Sequence, residues 1–90
     1  MEALKLNEII NICNEATKAP WKSFIEGRDH ESGSSFIMTG EESDRDYDIE
    51  FINIKNNDQD FIAMARNKMP DLVTEILRLQ KILNDNSITF

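Results

Sequence analysis

The chain lacks most of what small secreted folds and metal centres are built from. It has a single cysteine, Cys13, so no disulfide can close within it, and the disulfide-dense scaffolds of small secreted domains are excluded. On a helix face, that residue reads as a small buried hydrophobe. One histidine beside scattered carboxylates is a poor transition-metal set, and no paired cysteines, phosphate loop or nucleophile elbow occurs. Neither an enzyme nor a cofactor is therefore expected. No apolar run approaches the roughly 20 residues of a membrane helix, and "MEALKLNEII" lacks the basic head and cleavage site of a secretory signal. The expectation is a cytoplasmic protein with no membrane contact.

Basic residues are also short. Ten Lys and Arg face seventeen Asp and Glu, and the formal charge of −7 repels phosphate backbones, which argues against general nucleic-acid binding. A nucleic-acid mimic could use that charge, although acidity more often serves plain solubility.

What is present is a folding composition. Ninety residues suit one domain with one modest core, and about two fifths of them are apolar and clustered. Leu6, Ile9, Ile10, Cys13 and Ala16 recur at spacings of three and four, the stripe of an amphipathic helix that "KAPW" ends. Trp21 to Glu26 reads as a strand, with Trp21, Ser23 and Ile25 on one face and Lys22, Phe24 and Glu26 on the other. "SFIMT" (35–39) reads as a second strand and "DIEFINI" (48–54) as a third, placed after an acidic loop, "GEESDRDY". Both faces of these strands carry apolar residues, so either a bulge near Phe51 shifts the register or the second face is covered.

A helix start signal follows, with Asn57 as cap, Asp58 and Asp60 in the first turn, and Phe61, Ile62 and Ala65 as the buried stripe. Pro70 suits the first position of a separate last helix, 70–84, and residues 85–90 are expected to fray. The predicted fold is α+β, a three-stranded antiparallel sheet packed against helices in the order α-β-β-β-α-α. The last helix carries a wider apolar arc than a thin sheet needs, from Leu72 to Leu83, and a homo-oligomer would cover it.

The candidate chemistry lies in "EGRDHESGSSF". Gly27 and Gly33 permit positive φ and a sharp connection, Arg28 offers a planar fork of donors, His30 can donate or accept, and Ser32, Ser34 and Ser35 add hydroxyls. Together they could hold a small anionic ligand, with Trp21 as a support beneath. Equally, Arg28 can pair with Asp29 or Glu31 while the rest is turn chemistry. Asp44, Asp46 and Asp48 open like a calcium loop, but Ile49 stands where glycine is needed and Lys55 where the closing glutamate belongs.

Three segments, "NEATKAPW", "FIEGRDHESGSSFIMTG" and "DQDFIAMARNKMPDLVTEILRL", resemble successive "EATxxPW", "GRDHxSGxSFIxTG" and "DxxFIAxARxxxPxLxxEI" segments of a widespread group of small bacterial and phage or prophage proteins. The resemblance runs from about Asn14 to Leu79, and the middle segment is its specific part. It implies a mobile-element setting and one compact domain, and it carries no established activity. The shared pattern keeps Arg28, Asp29, His30, Ser32, Gly33, Ser35 and Phe36 together, a larger demand than a solvated turn makes. The expectation is a non-enzymatic binding protein that uses the 27–36 loop to recognise an anionic ligand or a host protein, in a counter-defence role. The alternative is an interaction protein acting through its last helix and oligomer surface.

Overall fold

The computed structural model describes residues 1–86. Helix α1 (Ala3–Glu15) is followed by strands β1 (Trp21–Phe24), β2 (Phe36–Glu41) and β3 (Asp44–Glu50), then by one long helix, α2 (Asn56–Asp85). The strands form an antiparallel sheet in the order β1-β2-β3, so the α+β fold holds. Leu6 and Cys13 of α1 are buried, as the three-and-four spacing requires, and they lie with Ile25, Ile37, Ala63 and Val73 in the core. No helix among the described residues is long and apolar enough to cross a membrane.

Three expectations are corrected. First, β3 begins at Asp44, inside the segment read as an acidic loop, and ends before Ile52. The bulge lies at Thr39, not near Phe51: Met38 pairs with Asp48 but Gly40 with Arg45, so Asp46 and Tyr47 together oppose Thr39. The fully buried Thr39 hydroxyl fills the gap, donating to the Tyr47 carbonyl at 2.6 Å and accepting its amide at 3.1 Å. Gly40, at φ +84°, follows at once. A Cβ there would meet the Asp44 carbonyl oxygen at 2.6 Å, which only glycine avoids.

Second, Pro70 starts no new helix. It sits inside α2, where its missing N–H leaves the Arg66 carbonyl without the usual i+4 donor. Tertiary bonds hold the helix on both sides of it. Arg66 Nε donates to the Thr17 carbonyl, Asn67 exchanges bonds with the Trp21 backbone, and Gln80 Nε2 donates to the Met1 carbonyl.

Third, the buried face of α2 is not Phe61, Ile62 and Ala65. Phe61 and Ile62 are exposed, and Gln59, Ala63 and Val73 point inward. Gln59 is fully buried, and its Nε2 lies 3.1 Å from the Phe24 carbonyl, 2.9 Å from the Phe36 carbonyl and 3.1 Å from Ser23 Oγ. It therefore supplies donors at the end of the β1–β2 ladder, where Phe24 and Phe36 are the last pair. Asn57 does not cap the helix; Lys55 holds the cap position with no side-chain bond. Of the segment expected to fray, Asp85 closes α2 and Asn86 Nδ2 donates to the Ile82 carbonyl at 2.7 Å, while 87–90 lie outside the described residues.

Candidate functional site

The 25–35 connection is a tightly bonded loop. The amides of Arg28 and Asp29 donate to the Ile25 carbonyl, Gly27 N–H donates to the His30 carbonyl at 2.8 Å, and the Asp29 carboxylate accepts Ile25 N–H at 2.8 Å. Ser35 Oγ accepts Glu26 N–H, and Gly33 N–H donates to Glu26 Oε2 at 2.8 Å. Gly27 and Gly33, at φ +82° and +103°, make the reversals that let this strapping close.

Arg28 anchors the loop to the start of α2. Its Nη1 and Nη2 meet the Asp60 carboxylate at 2.8 and 3.0 Å, while Nε and Nη2 meet Asp29 at 3.1 and 2.8 Å. The Arg28 bonds, joined by the Ser23 hydroxyl, pull the Asp60 carboxyl down to about 2. Arg28 and the Ile25 amide hold Asp29 below its ordinary value, and Asp60 and then Asp29 raise Arg28. The fork is thus almost fully engaged by its own protein, and an incoming anion would compete with two carboxylates already in place.

The opening lies on the sheet face turned away from α2. The strand alternation noted in the sequence places Lys22 and Phe24 of β1 there, and the register sets Phe36 and Met38 of β2 beside them. The expectation of a covered second face is thus corrected: among the described residues no helix or strand lies over it. It forms a depression of about 340 Å³ lined by Phe24, His30, Ser32, Phe36, Met38, Glu42 and Arg45. Two roomier surface hollows, about 580 and 730 Å³, contain no paired aromatic rings. In the depression, Phe24 and Phe36 stack with centroids 5.2 Å apart, and the His30 ring tilts against Phe36 at 5.0 Å and meets Phe24 edge-on at 6.1 Å. Lys22 Nζ lies 5.1 Å from the Phe24 centroid, and Arg45 at the rim is bonded to Asp48.

The Nδ1 side of His30 is engaged within the loop. Ser32 N–H donates to Nδ1 at 3.1 Å, the Ser32 hydroxyl lies 2.6 Å from the same nitrogen, and Glu26 Oε2 lies 3.5 Å from it. A ring nitrogen that accepts carries no proton, so the neutral imidazole holds its hydrogen on Nε2. That Nε2 is buried and meets no hydrogen-bond partner among the described residues. A buried donor left unmet costs about 1–3 kcal/mol, an unusual feature to keep in so small a fold.

Of the residues singled out in the sequence, the structure brings His30, Ser32 and Phe36 to this depression. Arg28, Asp29, Gly33 and Ser35 brace the loop instead. Trp21 supports α2 and not the loop: its Nε1 donates to the Thr17 carbonyl at 3.0 Å, and the Arg66 guanidinium lies 6.0 Å from its ring. Phe24, Met38, Glu42 and Arg45 had no part in the sequence-based site. The presence of apolar residues on both strand faces was the signal for the first two. Two of the three aspartates of "DRDYD" are engaged elsewhere: Asp44 pairs with Lys18 at 2.6 Å and Asp48 with Arg45. Scans of protein-family models, curated proteins and solved structures find no match to this chain.

Proposed function

We propose that the protein is a non-enzymatic, cytoplasmic binding module whose recognition surface is the aromatic depression framed by the 27–36 loop. The observation that carries this reading is the unpartnered Nε2–H of His30 beside the stacked Phe24 and Phe36 rings. Rings supply apolar contact and the imidazole a single fixed donor, so the matching occupant is a planar group bearing one hydrogen-bond acceptor, free or displayed by a host protein. The engagement of Arg28 with Asp29 and Asp60 moves the reading away from an anion held by that residue. In the mobile-element setting that the resemblance implies, such a module would sequester a host signal or block a host protein, and its acidity disfavours nucleic acid as the target.

The test is an NMR titration with benzamide, nicotinamide, benzoate and toluene. Saturable shifts at Phe24, His30, Phe36 and the Met38 methyl are expected for the two amides, weaker ones for toluene. His30→Phe should reduce amide affinity about tenfold and leave toluene unchanged, the value of one hydrogen bond. No saturable shift with any probe, or shifts confined to other surfaces, would overturn the reading. Benzoate binding best, with loss in Arg45→Ala, would return the site to an anion.

A further inference from the structure

Beside the inward row of α2, a second apolar row on the same helix is uncovered among the described residues. Ile62, Met69, Leu72, Ile76 and Leu79 are each between 37% and 62% exposed. With Ala65 and Leu83 they repeat at alternating intervals of three and four across residues 62–83, three consecutive heptads. Ile62, Met69, Ile76 and Leu83 hold one seam position and Ala65, Leu72 and Leu79 the other. At 100° per residue the row lies about 160° round the helix from the mean direction of Gln59 and Asn67, which bond to the sheet, so the sheet does not obstruct it. A stripe with period 3.5 departs from the 3.6 of a lone helix and is the pattern of a helix packed along another helix.

We propose that this row is the interface of an antiparallel two-helix coiled coil with a second copy of the chain. The flanking residues select the orientation. Antiparallel pairing that sets Ile62 against the partner's Leu79 and Met69 against the partner's Leu72 also sets Lys68 opposite the partner's Glu75, and Phe61 opposite the partner's Ile82. By two-fold symmetry each pair occurs twice. Lys68 makes no ion pair among the described residues, and Glu75 bonds Arg78 on its own helix, leaving carboxylate lone pairs for the incoming ammonium. A parallel pair would instead face Lys68 with the partner's Val73 and Glu75 with the partner's Gln80, which leaves both charges without an opposite partner. The exposed parts of the seam, with Phe61 and Ile82, amount to roughly 600 Å² per copy, so pairing would remove about 1,200 Å², enough for a specific interface.

Analytical ultracentrifugation of the full chain over a concentration series tests this. The expected mass is twice the 10.4 kDa of the chain. Leu72→Glu should give a monomer with an unchanged circular dichroism spectrum, because Leu72 is exposed in the single chain. Lys68→Glu should weaken the dimer about tenfold through two like-charge contacts, and Lys68→Glu combined with Glu75→Lys should restore it. A monomer at all concentrations, a Leu72→Glu variant that remains dimeric, or charge variants that pair equally well would each overturn the proposal.

Discussion

Replacing Gln59 with leucine tests the least apparent part of the fold. The substitution keeps the size of a fully buried side chain and removes the donors that meet the Phe24 and Phe36 carbonyls. The two carbonyls keep their cross-strand amides, so the substitution removes three additional bonds, to Ser23 Oγ and to both carbonyls, each worth about 0.5–1.5 kcal/mol, while deleting the buried and unpartnered Gln59 Oε1 returns about 1 kcal/mol. The net loss should be roughly 0.5–3.5 kcal/mol, set against the roughly 5–10 kcal/mol that holds a domain of this size. In urea, with a slope of about 1.2 kcal/mol per molar, the midpoint should fall by about 0.5–3 M. Because the lost bonds join the start of α2 to the end of the β1–β2 ladder, amide exchange should rise first at Ser23 to Ile25 and at Phe36. A change under about 0.5 kcal/mol, or a gain, would refute the reasoning and show that leucine packing replaces what the amide provides.

Three further outcomes follow from the same geometry. Gly40→Ala places a methyl 2.6 Å from the Asp44 carbonyl oxygen at φ +84°, so thermal melting should show a loss of about 2–4 kcal/mol. Pro70→Ala should stabilise the chain by up to about 3 kcal/mol, because alanine returns the donor for the Arg66 carbonyl inside a continuous helix; no gain in a urea midpoint would indicate a helix broken at that point. Asp60 and Asp29 have folded values below their unfolded ones, so their contribution is present above about pH 4 and is lost as the pH falls through the folded values, near 2 for Asp60. A carboxyl chemical-shift titration should find that midpoint for Asp60, and Arg28→Ala should move it up toward the ordinary range.

The parts of this fold that were legible in the sequence are those where polarity and burial agree. Leu6 and Cys13 follow helical spacing, and β1 and β2 follow strand alternation, so α1 and the first hairpin could be read in outline, although β1 ends at Phe24 and not Glu26, and β2 runs past Thr39 to Glu41. Where polarity and burial part, the pattern misleads. On α2 the inward positions include Gln59, Arg66 and Asn67, polar groups bonded to sheet or loop backbone, while Phe61 and Ile62 face outward. Strand β3 is a sheet edge, where charged residues such as Arg45, Asp46 and Asp48 are tolerated and serve to discourage further pairing; this is why its start resembled a loop. The proline rule failed at Pro70 because bonds on either side of it outweigh one missing helical donor.

The candidate site was half legible for a related reason. Two glycines round Arg28 to Ser32 marked the loop, but which side chains brace it depends on Asp60, thirty-two residues from Arg28 along the chain. Residue types alone made Arg28 the natural contact for a ligand, and only the register of β1 with β2 places Phe24, Phe36 and Met38 under His30.

The proton on His30 tests the account most directly. Long-range ¹⁵N–¹H correlation at neutral pH should show an unprotonated Nδ1 and a protonated Nε2, and the Nε2–H resonance should shift saturably as benzamide is added. A proton found on Nδ1, or an Nε2–H signal that benzamide leaves in place, would contradict the claim that this imidazole is the donor of a binding surface.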